Sequence, residues 1–217
     1  MKAMQIRVVG LVVAAAAWFA AAPAHAQSTT VTTAGDNYSA ALTSGTNVQL
    51  KVSTVTVTCN QSTTSGAVPA APNNHNASGP VTGPISNPTF SNSGSAACPT
   101  NIAGSATTTT SGAWQISLQN GSPSTGTLII PQNGVTTVAN IFGVVCTAKV
   151  APSGPISVTG TWTNGSGATK SKVVFSATGL PTSVTGSFLC PKGTASFSAS
   201  YDISDTTTTS NLILVGP

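Results

Sequence analysis

The stretch ASFSASYDISD, residues 195–205, puts Ala195, Phe197, Ala199, Tyr201 and Ile203 on one side of an extended chain and serine or aspartate on the other. A period of two held over that length marks a half-buried β-strand, because successive side chains point to opposite faces of the pleat. The same alternation recurs outward from it at Val173/Phe175/Ala177, Ile156/Val158/Trp162, Trp114/Ile116/Leu118, Phe142/Val144/Cys146 and Val184/Phe188/Cys190. Each set predicts one inward face. Between them lie turn signals at Asn120-Gly121, Ser124 to Gly126, Asn133-Gly134, Asn164-Gly165 and Pro191 to Gly193, residue types that tolerate tight backbone reversals. Turns about 8 to 12 residues apart are the rhythm of a sandwich or barrel. The expected fold is all-β, an antiparallel β-sandwich of immunoglobulin-like or jelly-roll-like form with about ten strands.

Toward the N-terminus, Val48/Leu50/Val52 and Val55/Val57/Cys59 have opposite parities, which predicts a turn or bulge near Ser53-Thr54. The segment from Gln61 to Pro84 is rich in Pro, Asn, Ser and Gly and reads as a long exposed loop within a single domain spanning 27–217. Two TTTT runs, at 107–110 and 206–209, read as solvated strand ends or connectors rather than as a repeated threonine array.

Residues 1–26 carry a different pattern. Lys2 and Arg7 precede an apolar run from Val8 to Ala22 that closes on Ala24-His25-Ala26, the layout of a cleavable, Ala-rich bacterial signal peptide. The run is shorter than the roughly 20 residues that span a bilayer, and no second apolar run follows, so no membrane span is expected in the mature chain. Beyond the leader the cations are Lys51, Lys149, Lys170, Lys172 and Lys192, the anions are Asp36, Asp202 and Asp205, and there is no Arg or Glu. A nucleic-acid partner is therefore not expected, since phosphate neutralisation requires clustered Lys and Arg. Serine and threonine make up about a third of the mature chain, far above globular averages, so solubility rests on hydroxyls and little charge repulsion keeps copies apart.

Four cysteines, Cys59, Cys98, Cys146 and Cys190, in an exported chain predict two disulfides. Three connectivities are open. Cys59–Cys98 and Cys146–Cys190 are favoured, each closing a loop of about 40 residues worth about 3 to 4 kcal/mol in the chain-entropy model; the two spans are similar in length and both second cysteines precede proline, a faint internal duplication. No Cys-x-x-Cys or Cys/His grouping is present and His75 is the only histidine beyond the leader, so no metal and no cofactor is expected.

Catalytic groups are scarce. Asp202 and Asp205 flank a strand end, where aspartate commonly holds turn amides, and His75 sits in an NNHNASGP segment without a G-x-S-x-G elbow to serve, so no enzyme is expected. Trp114 and Trp162 are the largest apolar side chains of the mature chain. Their alternating strands predict core packing, with contact to a ligand as the rival role.

Taken together, VTVTC at Val55 to Cys59, ISNPTF at Ile85 to Phe90 ahead of Cys98, the Trp strand at Ala113 to Leu118, VVC at Val144 to Cys146, SVTGTWTN at Ser157 to Asn164 and SFLC at Ser187 to Cys190 resemble a group of small secreted bacterial four-cysteine β proteins that includes activators of alkane oxidation. The likeness runs from Thr43 to Ile203. It implies an extracellular or cell-surface, non-enzymatic protein that aids contact with hydrophobic substrates or contributes to an extracellular matrix, and it implies no site residues. The expected function is accordingly structural, adhesive or interfacial, with partners among copies of itself, cell-surface or matrix components, and hydrophobic interfaces. The alternative is a carbohydrate- or lipid-binding module using Trp114 or Trp162.

Overall fold

A computed structural model describes residues 27–217, and the expected leader at 1–26 lies outside the described residues. Strands form throughout and no helix appears among the described residues. In chain order they are β1 (Thr29–Thr32), β2 (Asn37–Leu42), β3 (Val48–Val52), β4 (Val55–Cys59), β5 (Gln61–Ala67), β6 (His75–Asn76) and β7 (Val81–Ile85). There follow β8 (Thr89–Ser91), β9 (Ala97–Pro99), β10 (Gly104–Thr110), β11 (Trp114–Gln119), β12 (Thr125–Ile130) and β13 (Val135–Ile141). The last are β14 (Val144–Val150), β15 (Ile156–Thr163), β16 (Ser171–Leu180), β17 (Thr182–Gly186), β18 (Ala195–Asp205) and β19 (Leu214–Gly216). All-β architecture is as expected; nineteen strands replace the ten or so anticipated.

The sandwich gives way to a barrel. Eight antiparallel strands pair in the order β16-β15-β12-β11-β7-β5-β2-β18, and β18 pairs back to β16 from Ser171↔Ile203 to Leu180↔Ala195, which closes the ring. Period-two alternation is common to sandwiches and barrels, so it could not tell them apart. Strand β18 is long enough for its other edge to take two partners. Its Tyr201–Asp205 half pairs with β2, whereas its Ala195–Ser198 half pairs with β3 on the same edge. The hairpin β3–β4 thus peels away from the barrel and faces a second sheet ordered β17-β14-β13-β10-β9. An isolated bridge Val57↔Thr100 and the Cys59–Cys98 disulfide, with Cα atoms 5.1 Å apart, fasten β4 to that sheet.

Apolar residues face into the barrel and hydroxyls face out. Inside, Phe175 meets Phe197 at 6.1 Å and Tyr201 at 6.4 Å between ring centroids. Outside, Thr127 pairs with Thr159 at 3.0 Å and Thr82 with Ser117 at 2.8 Å across neighbouring strands. A lipid-spanning barrel needs the opposite arrangement, with an apolar band outward. One mouth is capped by the small sheet β19-β1-β6, which buries Val31, Ile213 and Val215. Gln119 donates to the Thr29 hydroxyl at 2.8 Å, Ser171 to the Ile213 carbonyl at 2.6 Å, and Asn164 exchanges two hydrogen bonds with Val215.

The expected long loop at 61–84 contains two barrel strands, β5 and most of β7. On β5 the inward residues Ser62, Thr64 and Gly66 are small, so hydrophobic periodicity is silent there, and on β7 Gly83 breaks the short inward row of Val81 and Ile85. The β5 residues are small because large neighbours fill the space: the Tyr201 hydroxyl sits 2.8 Å from Ser62 Oγ, and Tyr38 occupies the volume a Gly66 side chain would need. Small and large residues alternating around a tapering interior is how compact barrels fill themselves. Similarly, the first TTTT run is part of β10, with Thr108 buried against Thr137 at 3.0 Å. The turn expected at Ser53-Thr54 joins β3 to β4.

Candidate functional site

Hydrophobic alternation fails at one end of the five-stranded sheet. Strands β13 and β14 are joined by Phe142 and Gly143, closed by the pair Ile141↔Val144. Both turn residues have left-handed φ, 51° and 78°, the geometry that matches hairpin twist and ordinarily selects Asn-Gly. A bulky L-residue in that conformation costs about 1 to 2 kcal/mol. Packing does not offset it, because Phe142 is 74 % exposed.

A second turn lies alongside. Strand β17 pairs with β14 as far as Cys146↔Gly186. Beyond it the chain reverses through Ser187–Cys190, with the Cys190 amide donating to the Ser187 carbonyl at 2.9 Å. Phe188 and Leu189 form the corner, 90 % and 65 % exposed. The Cys146–Cys190 disulfide clamps this corner to β14. Gly186, at φ 129°, permits the approach: a Cβ there would lie 2.6 Å from the Val145 carbonyl oxygen and 2.8 Å from Cys190 Sγ. Val145 adds its own exposed side chain on the outer face of β14.

The two neighbouring turns thus carry Phe142, Val145, Phe188 and Leu189 as exposed side chains. Phe142 and Phe188 were expected to face the core; both lie outside it because each falls on the turn that ends its strand. Exposed apolar side chains gathered on neighbouring turns are a candidate contact surface.

The tryptophans are elsewhere. Trp114 and Trp162 are 2 % and 5 % exposed inside the barrel. Their indole N–H groups are satisfied by the Ser111 carbonyl at 3.0 Å and Asn164 Oδ1 at 2.8 Å. Beside them an apolar void of about 80 Å³ remains, bordered by Tyr38, Ile116, Leu128, Phe175 and Phe197. With almost no polar lining it offers water too few partners to be wet.

The titratable side chains meet only in pairs, Asp202 with Lys172 and Asp36 with Asp205. Asp202 accepts from Thr43 at 2.8 Å and lies 3.7 Å from Lys172. Asp205 is buried under the barrel cap, where it accepts from the amides of Thr207 and Thr208 at 2.8 Å each and from the Thr33 hydroxyl, which also donates to Asp36. Burial works to raise its pKa, but the hydrogen bonds from the amides of Thr208 and Thr207 and from the Thr33 hydroxyl hold the carboxyl below its ordinary value. Burial pushes the Tyr201 phenol up to about 12 against the opposing hydrogen bond to Ser62, and raises Tyr38 as well. His75 is exposed and meets Thr30 at 2.9 Å. Among the described residues, no three His, Cys, Asp or Glu side chains gather into a metal-binding group, and no helix is long and apolar enough to cross a membrane. Both expected disulfides, Cys59–Cys98 and Cys146–Cys190, are formed. In comparisons with known proteins, no family model, no curated protein and no solved structure matches this chain.

Proposed function

We propose that this is an exported, non-enzymatic protein, extracellular or on the cell surface, with a structural or adhesive role at a hydrophobic interface. Contact with hydrocarbon is the form of that role suggested by its resemblance to the group containing activators of alkane oxidation. The observation that carries the proposal is the set of four apolar side chains exposed together on a disulfide-braced end. A leader-like N-terminus, two disulfides that need an oxidising compartment, and weak surface charge support it. Shaking the oxidised protein with a hexadecane emulsion tests it. Wild type should deplete from the aqueous phase and the F142S/F188S variant should remain; equal retention of both in water would refute the role.

The second reading, a binding module using Trp114 or Trp162, draws on the apolar void beside them. Neither indole is exposed for stacking on a sugar, so an apolar, lipid-like guest is the form it takes. Titration with short alkanes should shift tryptophan emission if this reading holds, and leave it unmoved otherwise.

A further inference from the structure

We propose that two copies of this chain join edge to edge through β17, pairing antiparallel about a two-fold axis at Val184 so that their five-stranded sheets become one. This goes beyond the interfacial role, which rests on the exposed turns and is tested separately against hexadecane.

Strand β17 ends its sheet: β14 pairs along one side and, among the described residues, no strand pairs along the other. The Ala151 amide donates to the Pro181 carbonyl at 2.9 Å, in register with the ladder that follows. Ser183 and Thr185 therefore bond to β14, while Thr182, Val184 and Gly186 turn their amides and carbonyls outward. The chain beyond Gly186 passes beneath the sheet, because Cys190 is tied to Cys146 and Pro191 borders the apolar gap between β14 and the β3–β4 hairpin.

The other sheet ends are guarded. At β4 the Thr56 carbonyl accepts from the Asn101 amide at 2.9 Å, and the Thr56 amide donates to Asn101 Oδ1 at 2.7 Å. Strand β9 is bonded to β4 through Cys59–Cys98 and ends on Pro99. On β19 the Asn164 side chain takes both the amide and the carbonyl of Val215, and β6 is only 2 residues long. Short edges, proline and covering groups keep sheets from pairing with other chains. Strand β17 has no such device: its sequence TSVTG carries neither charge nor proline and pairs with β14 without a bulge.

The strand also complements its own reverse. With Val184 opposite Val184 of the second copy, Ser183 stands opposite Thr185 and Thr182 opposite Gly186. Hydroxyl against hydroxyl is how this chain already joins its own strands, at Thr82–Ser117 and Thr127–Thr159. Charge does not oppose the contact. Lys149 lies one strand in, opposite Ser183, so the two copies of it are three strand spacings apart, at least about 14 Å, beyond the roughly 8 to 10 Å over which charges act in salt. A two-fold contact uses the edge of both copies, so assembly stops at the dimer. The seam is short, which makes that dimer concentration-dependent.

Sedimentation velocity of the oxidised protein over a dilution series tests this. A reversible monomer–dimer equilibrium with no larger species is expected. S183K/T185K and S183E/T185E each set like charges opposite one another across the seam and should each weaken the dimer about tenfold or more; mixing the two variants should restore it. Both positions are exposed, and melting temperatures check that each variant folds. Amide exchange reads the edge itself. Thr182, Val184 and Gly186 should be protected in concentrated protein and lose that protection on dilution, while Ser183 and Thr185 stay protected throughout. A strict monomer at the highest concentration reached, a dimer indifferent to the lysine pair, no rescue on mixing, or edge amides unmoved by dilution overturns the inference. A dimer lost in F142S/F188S but kept in S183K/T185K places the contact at the exposed turns and overturns it too. The interfacial role stands or falls by hexadecane partition alone.

Discussion

A Cβ on Gly160 would lie 2.3 Å from the Val174 carbonyl oxygen and 2.7 Å from the Phe175 ring. Neither neighbour can retreat, one being backbone and the other part of the aromatic core. Gly160→Ala should therefore destabilise the fold by about 1 to 3 kcal/mol, the usual range for overpacking, and urea denaturation measures it. Phe142 is the converse case, a residue whose removal helps the fold. Phe142→Asn suits the left-handed turn and gives up no buried area, so it should raise stability by up to about 1 kcal/mol; a loss in the same denaturation assay would mean the ring packs in a way its exposure denies. Alternation in the sequence placed Phe142 and Phe188 on core faces because it registers parity alone. It says nothing of where a strand stops, and both strands stop one or two residues too early for these rings to turn inward.

At the scale of elements, the strands rich in large apolar residues were legible and the small-residue strands were not. Strand β18 alternates buried and partly buried over its whole length, as its residues foretell. Strand β5 reads as loop because Ser62, Thr64 and Gly66 are shaped to accommodate Tyr201 and Tyr38, partners far away in the chain. The two disulfides were legible as elements too, since four cysteines in a chain with an export-type leader predict two bonds, and the pairs favoured are the ones that form.

The cap after β18 depends on one charged group. Because the Asp205 carboxyl is held below its ordinary value, its contribution is complete above the unfolded pKa of about 3.9 and is lost as pH falls through the lower native value. Melting temperature should accordingly drop below about pH 4 more steeply for wild type than for Asp205→Asn. Parallel melting curves for the two proteins would contradict this.

Over the whole molecule, long-range closure is what sequence could not show. Whether β16 returns to β18 depends on the summed tilt and twist of the strands between them, which no local pattern records. Closure removes the exposed edges that a hydroxyl-rich, weakly charged sheet would otherwise present to other copies. The second sheet is held differently, through the β3–β4 hairpin and the Cys59–Cys98 bond. Replacing both cysteines with alanine should cost about 2 to 5 kcal/mol, measured by thermal unfolding, and loosen the five-stranded sheet before the barrel in amide exchange. The outcome is a closed, hydroxyl-coated body whose most exposed apolar side chains, Phe188, Phe142 and Leu189, lie on two neighbouring turns.

Drop tensiometry at a hexadecane–water boundary tests that picture most directly. The account predicts that the oxidised wild-type protein lowers interfacial tension and that F142S/F188S, with an unchanged melting temperature, lowers it markedly less. Indistinguishable tension curves for the two proteins would contradict it.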